Sequence, residues 1–397
     1  MKKINLLYYE PTSGYGGSSR CLLGWVKKLN RERFNTIVTV HYDGPAIQKI
    51  RKSGVKVINI PFKSFYVYKS FTQNGIFAIS YLLSVLDFLF FCIPTSIFLF
   101  FIIKKYKVNI IHLNAKLIGV IPGILVAKLS GIPCICHLHD IKIPIKKERF
   151  FAEGVDCFIV LTKKAFDLYK KVFANKRIEL IPNGIDLEEY KNMNNLHNLR
   201  SEFNIKDEER IVGLVGRLVE GKGFTDFIKA AKILCSKYIK VKFFIVGGAT
   251  DEDKKYENYL KKFVKELNLE REIIFTGWRE DIKQIISNFD LLVQASSTFP
   301  EGFGLTVVEA MALSKPVVVT DIPGPSEIVI DGVTGYIVPA GIPELLSEAI
   351  EKIITDKGKL KTMGEMGRET VERSYSLNLS VNKMEYLYQS LLQQRIE

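Results

Sequence analysis

The chain has 397 residues, 47% of them hydrophobic, too long for one ordinary core, and predicts two folded domains of roughly 150 to 200 residues each. Its six cysteines (Cys21, Cys92, Cys134, Cys136, Cys157, Cys235) follow no disulfide-framework spacing, include no C-x-x-C pair, and make no cluster with the five histidines; this argues against a disulfide scaffold and a structural zinc site. The net charge of +13 is uneven: residues 1–190 hold 28 basic and 13 acidic side chains, a net of +15. No nucleic-acid-binding motif accompanies that charge, so the expected partner is an anionic membrane surface or a lipid phosphate, not nucleic acid. No cleavable signal peptide is read before the first strand, and a reducing, cytoplasmic setting is expected.

In chain order, strands are predicted at residues 4–9, 36–41 and 55–60, with a helix over 19–29 after the first. The stretch Ile76 to Ile103 is apolar apart from Asp87 and ends in Lys104, Lys105 and Lys107. It is long enough to span a bilayer. Because strands of one sheet precede and follow it, the preferred reading is a helix pair broken near Pro94 and docked shallowly on the inner face of the membrane, with burial in the domain as the alternative. Strands at 108–113, 133–138, 157–162 and 178–181 follow, then a polar, asparagine-rich linker over 188–209 with a short helix near 196–203. A second set is predicted at 211–215, 241–246, 272–275, 290–294, 316–320 and 335–338, with helices at 225–238 and 253–267 between. Strands alternating with helices predict doubly wound parallel sheets. The organisation expected is a first domain over 1–187, the linker, a second domain over 210–376, and a helix from 377 to the end that crosses back to the first.

The segment most telling of function is Glu301-Gly-Phe-Gly-Leu-Thr-Val-Val-Glu309, a glycine turn leading into a helix over 305–313. Gly302 and Gly304 let the backbone pass close to a ligand, and first-turn amides suit a diphosphate. Acids beside such a site make sense as acceptors for hydroxyl groups, so Glu301 and Glu309 are read as holding a sugar and a ribose; the ligand implied is a nucleotide sugar. Pro300 before Glu301, and Ala-Met-Ala and Lys-Pro-Val-Val-Val after Glu309, add specificity. After the strand at 211–215 come Arg217 and Gly221-Lys222-Gly223, where a planar fork and a point charge can meet a diphosphate. Such cations and helix amides could stabilise a leaving nucleoside diphosphate, and no Asp-x-Asp pair for a divalent ion is read, so metal-independent chemistry is expected, with no cofactor besides the co-substrate.

With these motifs the chain resembles, over nearly its whole length, the large retaining glycosyltransferase family 4, whose members have the GT-B fold, two Rossmann-like domains facing across a cleft. The resemblance implies that Glu301 contacts the donor sugar, Glu309 the ribose, and that Gly302, Phe303, Gly304, Leu305 and Thr306 form the donor loop. It implies that Gly16 and Gly17, after the first strand, let amides approach the phosphates, and that His139, in His137-Leu-His-Asp140, lies near the transferring sugar. Arg279, in Gly277-Trp-Arg279, is a candidate base or ribose contact, and Ile181-Pro-Asn-Gly-Ile-Asp186 an interdomain turn. The implied reaction is retaining transfer from a nucleotide sugar, UDP-linked most often in the family, to an acceptor hydroxyl. The acceptor expected is a lipid-linked glycan intermediate of cell-surface polysaccharide assembly, at the inner membrane face. The alternative is a catalytically silent GT-B scaffold at the membrane, against which Arg217, Lys222, Glu301 and Glu309 together count. A nicotinamide-dependent dehydrogenase should show a G-x-G-x-x-G turn, which is absent.

Overall fold

A computed structural model describes residues 3–12, 16–64, 84–191, 198–237 and 239–394. Expectations for Ser13 to Tyr15, for residues 76–83 and for residues 192–197 lie outside the described residues. The chain divides into two compact units, Met1–Gly184 with Leu377–Glu397, and Ile185–Ser376.

The first unit is built on seven parallel strands, β1 (Ile4–Glu10), β2 (Phe34–Val40), β3 (Lys56–Asn59), β4 (Ile110–Leu113), β5 (Cys134–His137), β6 (Cys157–Val160) and β7 (Arg177–Leu180). They lie in the order β3-β2-β1-β4-β5-β6-β7. A parallel sheet is covered on both faces, so its strands read as apolar runs: β4, β5 and β6 are buried at every position, and Leu7, Leu113, Cys136 and Phe158 anchor one core. The helix Leu377–Gln393 completes the other face, setting the hydroxyl of Tyr388 2.6 Å from that of Tyr8.

The described part of the apolar insert, Ser84–Tyr106, is one continuous helix, not a pair broken near Pro94. Proline lacks the amide hydrogen of the helical ladder and crowds the carbonyl four residues back. Here the conflict is absorbed by a π turn, Phe88–Cys92, in which Ile93 N donates to Phe88 O, five residues back. The helix is long and apolar enough to cross a membrane by length and composition, yet Leu99, Ile102 and Ile103 are buried in the first core. Phe90, Ile93, Ile97 and Phe101 form an exposed stripe, continued by exposed Lys104 and Lys105.

The second unit has six parallel strands, β8 (Arg210–Val215), β9 (Val241–Val246), β10 (Ile273–Gly277), β11 (Leu291–Gln294), β12 (Val317–Thr320) and β13 (Gly335–Val338), in the order β10-β9-β8-β11-β12-β13. Residues read from the sequence as a linker include short helices of this unit, Leu187–Tyr190 and Leu199–Glu202; Tyr190 and Leu199 are buried, and Leu199 N donates to Asn288 Oδ1 at 3.2 Å. Apolar anchors spaced within polar sequence tie them down.

Candidate active site

In each sheet the strand order reverses once, between β1 and β4 and between β8 and β11, and the crevice outside the carboxyl ends at such a reversal is where doubly wound sheets take ligands. In the first unit Glu10 ends β1 and Asn114 follows β4, both fully buried. Glu10 Oε1 accepts from Thr12 N at 3.1 Å and from the Thr12 hydroxyl, while Oε2 accepts from Asn114 Nδ2. Asn114 Oδ1 is 2.7 Å from His139 Nε2. Leaving water pushes the Glu10 carboxyl up to about 7, against the hydrogen bonds that favour its charged form.

Alternate residues of an extended segment share a face, so the rings of His137 and His139 stack at 4.7 Å, with Trp25 stacked on His137 at 4.5 Å. His112 Nε2 approaches His137 Nδ1 at 3.3 Å, and His112 Nδ1 meets the Tyr388 hydroxyl at 2.8 Å. Burial lowers His139 to about 4 and His112 to about 3, and takes His137 well below its ordinary range, neighbouring histidines adding to the last two. All three are neutral at pH 7. Gly16 caps the helix Gly17–Lys28 in extended conformation, and a Cβ at Gly17 would meet nothing within 4 Å. Asp140 pairs with Lys116 at 3.5 Å.

In the second unit Gly216 and Arg217 follow β8, and Lys222 folds back so that a Cβ at Gly216 would lie 3.6 Å from its Nζ. Lys222 Nζ is 3.2 Å from Glu301 Oε1, which also accepts from Ser296 Oγ at 2.7 Å and Gln294 Nε2 at 2.9 Å. The side chains of Lys222 and Glu301 keep 16% and 11% exposure, and the ammonium sits 4.7 Å from the Phe299 ring centre. The reversal point thus holds an oriented carboxylate beside an oriented ammonium. Arg217 is more exposed, its Nε 4.0 Å from Asp253. Asp253 belongs to Asp251-Glu-Asp253, an Asp-x-Asp spacing that the expectation of metal-free chemistry passes over; it also accepts from the Thr250 hydroxyl at 2.8 Å. Among the described residues no three His, Cys, Asp or Glu side chains gather as a metal site.

The loop Glu301 to Thr306 turns at Gly304, whose φ of 107° lies in the left-handed region and which caps the helix Leu305–Ala312. Gly302, Leu305 and Thr306 are partly exposed, Phe303 is buried against Tyr375, and Thr306 Oγ1 donates to Gln294 Oε1 at 3.3 Å. Gly324 packs under this loop, where a Cβ would come within 3.0 Å of the carbonyls of Glu301 and Phe303. Glu309 differs from Glu301 in being fully buried, its Oε1 accepting from the Tyr190 hydroxyl at 3.0 Å. Three helices, beginning at Gly17 in the first unit and at Phe224 and Leu305 in the second, each have a glycine N-cap with no side chain to offer their first-turn amides. Arg279 is engaged otherwise: its guanidinium binds Asp281 at 2.8 and 2.9 Å and Glu202 at 2.9 Å, which raises its already high pKa. Trp278 beside it is 62% exposed.

Residues 15–189 match the family model described as Glycosyltransferase Family 4, and residues 197–370 the one described as Glycosyl transferases group 1. The chain belongs to the GT-B glycosyltransferases. This glycosyltransferase is similar to the capsular polysaccharide biosynthesis glycosyltransferase CapM of Staphylococcus aureus, 30% identical over 213 residues that cover 53% of this chain and 54% of that protein. The match therefore spans about half the length of that relative. It is also similar to the UDP-Gal:alpha-D-GlcNAc-diphosphoundecaprenol alpha-1,3-galactosyltransferase of Escherichia coli, 26% identical over 307 residues, 73% of this chain and 77% of that one. The crystal structure of Anabaena Alr3699/HepE in complex with UDP and glucose superposes with a TM-score of 0.80 at 23% identity, covering 98% and 100% of the two chains, and shows that the fold is shared.

Four polar residues of this glycosyltransferase that hold site side chains went unread in the sequence: Glu10, Asn114, Gln294 and Ser296. Each lies at, or within two residues of, the carboxyl end of a strand flanking a reversal point. The legible signal was a lone polar group closing an apolar run, as in Leu-Leu-Tyr-Tyr-Glu10 and Leu-Leu-Val-Gln294.

Proposed function

We propose that this glycosyltransferase moves a sugar from a UDP-linked donor to an acceptor hydroxyl with retention of anomeric configuration and without a metal, and that the acceptor is a lipid-linked intermediate of polysaccharide assembly. The observation that carries this reading is the Lys222–Glu301 pair, 3.2 Å apart at the reversal point of the second sheet and oriented by Ser296 and Gln294. Nucleotide departure develops negative charge, which a nearby ammonium, an exposed guanidinium and uncapped helix amides stabilise. In this reading Lys222 and Arg217 meet the diphosphate, Glu301 accepts from sugar hydroxyls, Glu309 acts at the ribose, and Gly302 to Thr306 form the donor loop. Gly16, Gly17 and His139 serve the phosphates and the sugar from the first unit. No carboxylate base is required if the leaving phosphate takes the acceptor proton on the same face.

UDP as the carrier and a diphosphoundecaprenol-type acceptor are supported by the name of the E. coli relative, and UDP by the Anabaena complexes. The stripe Phe90, Ile93, Ile97 and Phe101 beside Lys104 and Lys105 supports peripheral docking on the cytoplasmic face of an anionic membrane. The test is a thermal-shift screen of nucleotide sugars, followed by transfer assays with Glu301→Ala and Lys222→Ala, with and without EDTA. Stabilisation by UDP or a UDP-sugar and loss of transfer in both variants are expected, with EDTA inert. Undiminished transfer in both variants sinks the site, and no response to any nucleotide favours the scaffold.

A further inference from the structure

Glu10 is a buried acid to which the reaction assigns no role, and its partners lead to His139. Above about pH 7, where Glu10 is ionised, its carboxylate only accepts, so with Oε2 on Asn114 Nδ2 the Asn114 amide must present its NH2 to Glu10 and its carbonyl to His139. That carbonyl accepts from His139 Nε2, which therefore carries the proton and leaves Nδ1 as a bare lone pair. Asn114 cannot swing away, because its backbone N donates to Tyr9 O at 2.9 Å and its side chain is fully buried. The other oxygen of Glu10 holds Thr12, whose hydroxyl meets Ser19 Oγ at 2.9 Å, and Asn114 Nδ2 also reaches Ser18 O at 3.4 Å. One carboxylate thus ties together the start of the helix after Gly16 and the imidazole after β5.

We propose that Glu10 is a positioning residue for sugar transfer, fixing the tautomer and orientation of His139 through Asn114 and the seat of the Gly16–Gly17 turn through Thr12 and Ser19. The proposal rests on the reading that places His139 at the sugar. It adds which nitrogen faces the ligand: Nδ1, an acceptor for a sugar hydroxyl.

The test uses Glu10→Gln in the full chain. The Thr12 backbone N–H can only donate, so the carbonyl of the substituted amide stays with Thr12 and its NH2 faces Asn114. The Asn114 amide then turns over, its NH2 faces His139, and the proton must move from Nε2 to Nδ1. Histidine-selective 15N labelling at pH 8.5 reads this directly, the His139 signals being identified by their loss in His139→Gln. Wild type should show a protonated Nε2 and a pyridine-type Nδ1, and Glu10→Gln the inverse. The double variant Glu10→Gln/Asn114→Asp should restore the wild-type pattern, since a carboxylate at position 114 accepts from both neighbours. Turnover of the nucleotide sugar chosen by thermal shift should fall about tenfold or more in kcat in Glu10→Gln, with KM within about twofold, and recover in the double variant. A proton on Nδ1 in wild type overturns the proposal without any variant; so does an unchanged tautomer in Glu10→Gln, or an inverted one with unchanged kcat. Failure of the site reading shows separately, as wild-type transfer by His139→Gln.

Discussion

The neutral histidine cluster makes the first unit acid-sensitive by an amount that can be worked out. His112, His137 and His139 have folded pKa values depressed below the ordinary 6.5, so their stability contribution is present above that value and lost as pH falls. Between pH 7 and pH 5 the unfolded chain binds a proton at each while the folded chain does not, a cost of about 2 kcal/mol per histidine. Glu10 acts in the opposite sense. Its folded value is raised to about 7 from 4.5, so its contribution is present below 4.5 and lost as pH rises through 7; acidification from 7 to 5 regains about 2 kcal/mol. The net loss expected is about 3–4 kcal/mol, a large part of the stability of an ordinary domain. The two tryptophans divide between the units, Trp25 buried against His137 and Trp278 exposed in the other. In Trp278→Phe, Trp25 fluorescence during urea unfolding at the two pH values therefore isolates the first unit. Adding Glu10→Gln should enlarge the loss to about 5–6 kcal/mol, because the offset disappears. Equal stability at pH 7 and pH 5, or the same loss with and without Glu10→Gln, would refute the reasoning.

Glycines at the site separate into those the fold needs and those it does not. Gly223, at φ 76° with a Cβ position 1.7 Å from Ala295 O, should lose about 3 kcal/mol or more on Gly223→Ala, read by denaturant unfolding of the second unit. Gly17→Ala meets nothing in the chain, so its unfolding midpoint should stay put while stabilisation by UDP shrinks; a midpoint that drops instead makes Gly17 a folding residue. Tyr190→Phe removes a donor from the buried Glu309 carboxylate and should cost about 1–3 kcal/mol in the same unfolding assay, an unchanged midpoint counting against that bond. Arg279→Ala should lower stability by about 2 kcal/mol through its bonds to Asp281 and Glu202 while calorimetric UDP affinity changes less than about twofold; a tenfold weaker affinity would restore Arg279 as a nucleotide contact.

The sheets were legible because parallel strands covered on both faces appear as short apolar runs between helices, and runs such as Cys134–His137 and Val317–Thr320 carry little else. Local chemistry was legible where one segment holds it, as with Lys222 between two glycines or Glu301 in its turn. Pro94 shows the limit of a local rule: a helix breaker by stereochemistry, it is carried within a continuous helix because one π turn resolves its conflict. Arg279 shows another, since no spacing tells that Glu202, 77 positions away, is waiting for its guanidinium. The supporting polar residues were illegible for a deeper reason. Glu10 and Asn114 meet only because Tyr9 of β1 is in register with Leu113 of β4, and that pairing comes from the order of strands in the sheet, which hydrophobic periodicity does not encode. The same holds for Lys222 after β8 and Gln294 at the end of β11, brought together by the pairing of Val293 with Leu214. Hence a polar residue closing an apolar strand has no special meaning until the strand order is known. Once the order is known, the strands flanking the reversal are where such a residue can meet a ligand or, as Glu10 does through Asn114, hold a neighbouring side chain in place.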